Sequence, residues 1–144
     1  MLGVSSAPLY GELAFAERGA GACLNGRPLR VSDVATLEAA ALSSGNLRSL
    51  ARSAGWARYG EVVARVNRIR GYGDFLHYHL LAAGKIDAVV ESDVNILDIA
   101  ALVVIVEEAG GRFTALDGAP VGLATTSVLA ANPALHARLA AALA

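Results

Sequence analysis

"ESDVNILDIAALVVIVEEAGG", residues 91–111, reads as a strand end, a short loop, a helix and its stop. Asn95 is placed to cap the helix and Gly110-Gly111 to end it. Between them, residues 96–106 are apolar on nearly every side, and a helix of that kind must be covered by two layers. The stretch therefore predicts a layered fold. Asp98 interrupts it in the first turn, and burying a carboxylate costs several kcal/mol unless a partner or a cation compensates. Two readings stand open: a third-position acid held by orphan backbone N–H groups and the helix dipole, or a ligand.

Outward from this helix, "KIDAVVE" is a short strand and "DFLHYHLLAAG" a helix capped by Asp74 and closed by Gly84. "GEVVARVNRIRGY" alternates as a strand, "NLRSLARSAG" is a helix started by Asn46, and a further strand lies near 38–44. "GRFTALDG" and "TSVLAAN" are strands, and "NPALHARLAAAL" is a closing helix with Pro133 at its first position. Residues 2–31 form an antiparallel meander of three strands, with Asn25-Gly26 as a hairpin turn. Strands alternating with helices predict an α/β layered domain over 32–144, preceded by antiparallel strands over 1–31.

Composition narrows the class. The chain has 144 residues, 55% of them hydrophobic and 17% charged, with a net charge of −1. That balance supports a large core and argues against a nucleic-acid or anionic-membrane partner. The apolar run Ile99–Val106 falls short of the ~20 residues of a membrane span, and "MLGVSSAP" lacks the pattern of a signal peptide. A single cysteine, Cys23, reads as a packing residue in a reducing compartment, so a cytoplasmic protein is expected.

Ligands collect outside the carboxyl ends of strands in open α/β sheets. Asp74, Glu91 and Asp98 all fall at such positions if their strands run parallel. Each also has a plain reading: a helix cap, a solvated strand end and a first-turn acid. His77 and His79 lie two apart, face different ways on a helix and make a poor metal pair. His136 reads as solvated, and Ser43-Ser44-Gly45 as a strand-end turn. No phosphate-loop, C-x-x-C or G-x-S-x-G pattern occurs.

Residues 71–118 resemble the inositol monophosphatase superfamily. The resemblance rests on Leu97-Asp98-Ile99-Ala100-Ala101, Glu108-Ala109-Gly110-Gly111 and Thr114. Gly73-Asp74 and the Tyr that follows in "YGDFLHYHLLAAG" resemble the histidinol-phosphate phosphatase branch, and the meander over 2–31 is similar to strands that follow the family's catalytic core. The resemblance implies the carboxy-terminal part of a layered αβαβα fold and a Mg²⁺-dependent phosphomonoesterase, homodimeric in its full-length form. Asp98 matches the family's last metal ligand. Glu91 and Asp74 match positions near the substrate alcohol, with Arg70 and Gly73 as weaker matches. The substrate implied is a small phosphate ester, histidinol phosphate or alternatively inositol phosphate.

Two departures accompany the match. Leu97 stands where the family has Trp, and no Asp-Pro-x-Asp occurs among Asp33, Asp74, Asp87, Asp93, Asp98 and Asp117. The family's amino-terminal metal loop is thus not represented, and no catalytic residue is assigned. A catalytically inactive fragment or interaction protein is the competing expectation.

Overall fold

The computed structural model describes residues 1–144. Strands β1 (Leu2–Ala7), β2 (Glu12–Glu17), β3 (Gly21–Leu24) and β4 (Arg27–Pro28) form an antiparallel sheet in chain order. Three strands were expected. The fourth arises because Asn25 and Gly26 take φ of 50° and 75° and fold the chain back, pairing Leu24 with Arg27 and Cys23 with Pro28. Asn25 also pins the turn, accepting the Leu13 N–H and donating to the Gly11 carbonyl.

The rest of the chain runs β5 (Ala41–Ser44), α1 (Arg48–Ala51), α2 (Gly55–Arg65), β6 (Arg68–Arg70), α3 (Leu76–Ala82), β7 (Ala88–Ser92), α4 (Ile96–Glu108), β8 (Arg112–Thr114), β9 (Ser127–Ala131) and α5 (Pro133–Leu143). A 3-10 turn at Leu37–Ala39 takes the first part of the strand expected near 38–44. Helix α1 begins two residues after Asn46, whose side chain accepts the Arg48 N–H at 3.2 Å.

The strand expected over "GEVVARVNRIRGY" is corrected. Helix α2 runs to Arg65, and only Arg68–Arg70 is strand. Tyr59, Val62, Val63 and Val66 all pack into one core. Their spacing follows the helical period, and the local alternation from Glu61 onward masked it.

The second sheet has the order β6-β5-β7-β9-β8, with β6, β5 and β7 parallel and β9 and β8 antiparallel to their neighbours. Both faces of its centre are buried. Val89, Val128 and Ala130 enter one core, while Ala88, Val90, Leu129 and Ala131 enter the other. Helices α3 and α4 fill the space between the two sheets, and α1, α2 and α5 cover the far side of the second. The layers are β-α-β-α, an α/β arrangement of the kind expected. No helix is long and apolar enough to cross a membrane.

Helix α4 is sandwiched as its composition demands. Ile99, Leu102, Val104, Ile105 and Val106 are all buried, and they share a core with Ala14, Ala16 and Ala22 of the first sheet. These small residues let the sheet lie close to the helix. A Cβ on Gly3 would come within 2.5 Å of the Ala101 carbonyl oxygen, which explains the glycine there.

His136 is not solvated. It is 3% exposed, and its Nε2 lies 3.0 Å from the Thr114 hydroxyl. Pro133 starts α5 on a surface turn, but the helix brings His136 inward with Leu135 and Leu139. Burial, then the Arg112 charge, hold its imidazole below the ordinary value. The unfolded chain thus takes up this proton at higher pH than the folded one. The associated stability is complete above about pH 6.5 and drains as pH falls through that value toward the lower folded one. The urea midpoint should fall on acidification from pH 7 to 5, and less steeply in His136→Gln; equal slopes would clear His136.

The first sheet turns an apolar face to solvent. Leu2 is 60% exposed, Val4 54%, Leu13 50% and Phe15 39%, and β1 is an edge strand. Such a face with a free edge promotes association. Light scattering should show concentration-dependent growth in mass that the double variant Val4→Thr, Phe15→Thr reduces. A monomer at all concentrations would contradict this.

Candidate active site

The three parallel strands end at one rim. Asn46 follows β5, Asp74 follows β6, Glu91 and Asp93 lie at the end of β7, and Asp98 is in the first turn of α4. All five line one cavity of about 350 Å³, together with Phe75 and Tyr78. The structure thus brings together Asp74, Glu91 and Asp98, three of the sequence-predicted residues. Arg70 and Gly73 do not line the cavity; Arg70 folds back onto the Ile69 carbonyl at 2.7 Å. A larger cavity, about 550 Å³, lies between α1, α2 and the end of α5 and holds none of the predicted residues.

Asp98 is exposed, not buried, and the desolvation cost raised by its apolar surroundings does not arise. Its Oδ2 accepts the Asn95 backbone N–H at 2.9 Å and the Asn95 side-chain amide at 2.6 Å, while Asn95 Oδ1 accepts the Leu97 N–H. This reciprocal cap fixes where the carboxylate sits. The cap and the ligand reading are compatible, because both hydrogen bonds fall on one oxygen.

Asp74 is not a helix cap. Phe75 precedes α3, no side chain caps it, and Asp74 is in the left-handed region at φ 46°, after Gly73 at φ 68°. Aspartate tolerates that region better than most residues, yet the conformation is uncommon and costs energy. The helix forms without its help, and the carboxylate is left at the cavity wall.

Glu91 is 7% exposed and is not a solvated strand end. The Tyr78 hydroxyl donates to its Oε2 at 2.7 Å, and His77 Nε2 lies 3.2 Å from the same oxygen. Burial pushes the Glu91 carboxyl up, but hydrogen bonds from His77, Tyr78 and the Asn46 backbone outweigh it and hold it below the usual carboxylate range. Burial, and then the Glu91 charge, push the Tyr78 phenol far up, so it remains a donor. Asp93, also with positive φ, is held low by the Ser49 hydroxyl and backbone N–H and by Ser92.

Sequence reasoning missed His77, Tyr78, Asn46 and Asp93 as site residues. His77 and His79 do diverge as predicted: His79 bonds Glu12 and Ser5 of the first sheet at 2.9 Å each, while His77 turns to Glu91. A buried polar run on a helix that follows the Gly73-Asp74 loop was the available signal.

Mg²⁺ requires near-octahedral oxygen ligation. No three acidic, histidine or cysteine side chains are grouped to hold a metal ion, so these residues alone do not build such a site. The wall instead offers carboxylates and aromatic rings, with no Lys or Arg among its residues. That arrangement can take a cationic or hydroxyl-bearing organic group.

The inositol monophosphatase family model matches residues 1–144. A histidinol-phosphatase of Mycobacterium tuberculosis is 43% identical over 140 residues, covering 94% of this chain and 54% of its own length. A fructose-1,6-bisphosphatase/inositol-1-monophosphatase of Thermotoga maritima is 34% identical, covering 94% of this chain and 52% of itself. The inositol monophosphatase structure from Anabaena superposes with a TM-score of 0.88 at 32% identity, over 99% of this chain and 57% of that one. The chain spans about half the length of the curated relatives it matches. By sequence and by fold, this chain belongs to the inositol monophosphatase family.

Proposed function

We propose that this chain is the alcohol-binding part of a phosphomonoesterase that hydrolyses histidinol phosphate. The observation that carries the reading is the cavity at the strand rim, where Asp74, Glu91, Asp93 and Asp98 converge without a basic residue. Histidinol phosphate presents an amine and an imidazole, and inositol phosphate presents hydroxyls. An anionic wall with Phe75 and Tyr78 suits the first, since a desolvated ammonium gains from both carboxylate and ring face. In this reading Asp74 and Glu91 recognise the alcohol, and Asp98 supplies one oxygen to a Mg²⁺ whose other ligands lie outside this chain. Gly73 shapes the Asp74 loop, and Arg70 ends the strand before it with its guanidinium on the Ile69 carbonyl. The histidinol-phosphatases among the relatives, at 43% and 36% identity, support the same substrate class.

With one metal ligand and no assigned nucleophile, the 144-residue chain alone should hydrolyse histidinol phosphate negligibly in Mg²⁺. Chelator-sensitive turnover by the purified chain would contradict the assignment of the other ligands elsewhere.

Substrate choice is tested in a chimera joining this chain to the remaining half of the Mycobacterium tuberculosis relative. Asp74→Asn keeps a residue that tolerates positive φ and removes only the charge. A charge-assisted contact is worth about 1.5–3 kcal/mol, or roughly ten- to hundredfold in rate. The variant should lose that factor in kcat/KM for histidinol phosphate and change little with inositol phosphate. An equal loss on both substrates, or none, would reject Asp74 as the cation-selecting group.

A further inference from the structure

Glu91 is the buried acid of the cavity wall, and the groups that hold it extend well beyond the cavity. Its Oε2 takes the Tyr78 hydroxyl and faces His77 Nε2. Across the imidazole, His77 Nδ1 lies 3.3 Å from Ser43 Oγ, and that oxygen also accepts the Tyr72 backbone N–H at 3.3 Å. Ser43 and His77 are both 0% exposed. The direction of the chain of bonds follows from its ends. The Tyr72 N–H takes one of the two acceptor positions of Ser43 Oγ and leaves the hydroxyl proton free for His77 Nδ1. The carboxylate can only accept, so the neutral ring carries its proton on Nε2 and its Nδ1 accepts from Ser43. No buried side-chain polar atom in the protein is then without a partner.

The other oxygen of Glu91 is confined by packing. A Cβ at position 45 would come within 1.9 Å of Oε1, so Gly45 is the residue that lets the end of β5 close over it. The Tyr72–Asp74 loop, by contrast, lies in no strand or helix and has two successive residues with positive φ, Gly73 and Asp74. Its start is tied to the sheet through Ser43.

We propose that His77 is a positioning residue that couples the Glu91 carboxylate, through Ser43, to the loop carrying Asp74. Two acids on different elements are thereby held in one geometry, which matters for function if the ligand is a cationic alcohol, as in the reading above. A histidine serving only as core filling needs satisfied nitrogens. It does not need one of them on the acid of a cavity and the other on the anchor of the loop opposite.

The test uses the 144-residue chain with ¹⁵N-labelled histidine and backbone. Long-range ring correlations should show His77 as the Nε2–H tautomer. Ser43→Ala should shift or broaden the Gly73 and Asp74 amides, and His77→Leu should disturb both these and the Glu91 amide. L-histidinol serves as the ligand probe. His77→Leu should weaken its binding about tenfold, as expected for losing a hydrogen bond to a charged group, and His77→Gln, which keeps a donor toward Glu91, should recover most of that loss. An Nδ1–H tautomer in the parent chain overturns the proposal even if the variants fail to fold. So do folded variants whose Gly73 and Asp74 amides are unmoved. A parent chain with the Nε2–H tautomer and the coupled shifts but no response to histidinol upholds the positioning and rejects the cationic-ligand reading alone.

Discussion

Helix α4 cannot be left uncovered, and much of the structure follows from that constraint. Its apolar surface extends around the axis, so a sheet must press on one side while α3 and the second sheet press on the other. The first sheet meets the demand with Gly3, Ala14, Ala16 and Ala22, residues small enough for strands to lie almost on the helix backbone. The ends of the helix are held as firmly as its middle. Asn95 and Asp98 close the first turn. At the last turn Glu108 accepts the Gly19 and Gly21 N–H groups, and Arg18 pairs with Glu107 at 2.5 Å. Acids at a helix carboxyl end oppose the dipole, but here the N–H groups of the β2–β3 turn and an arginine offset that cost and dock the turn.

That fixed helix also aims the site. Helix α4 starts where β7 stops, so a cap that satisfies backbone groups delivers the Asp98 carboxylate to the rim shared by three parallel strands. The cap and the placement of Asp98 at the cavity use the same atoms. Helix α3 does the equivalent for its own side chains. His77 reaches Glu91 and Ser43, Tyr78 reaches Glu91 and the ring of Phe113 at 5.3 Å, and His79 turns the other way to the first sheet.

The layered class, the Asn25-Gly26 hairpin, the cap of α4 and the convergence of Asp74, Glu91 and Asp98 were legible because each depends on residues close in sequence or on a strong period. What escaped depends on long-range contact. Helix α2 looked like a strand because its buried residues, Tyr59 and Val62, are few and the pattern near them alternates by chance. His136 looked exposed because it lies in an Ala-rich tail with Arg138 two residues on, whereas its partner Thr114 is 22 residues away. The role of Asp74 as a loop residue with positive φ is invisible to a cap rule that asks only which residue precedes a helix. Ser43 and Glu91 lie 48 residues apart with His77 between them, and no local spacing links the three.

Several of the local rules that this chain breaks fall together around one cavity. Asp74 and Asp93 hold positive φ, Glu91 lies in a nearly dry position, and four carboxylates share a wall with no Lys or Arg among its residues. The positive φ values cost stability, and the buried Glu91 charge is tolerated because His77, Tyr78 and the Asn46 backbone hydrogen-bond it. Elsewhere the same chain satisfies its buried side-chain polar atoms, packs small residues where backbones approach, and alternates its central strands between two cores. The exceptions that gather around this cavity lie where a ligand would relieve them. In the proposed reading a cationic group pairs with these carboxylates, so the chemistry of the wall, more than its shape, defines what the cavity would accept.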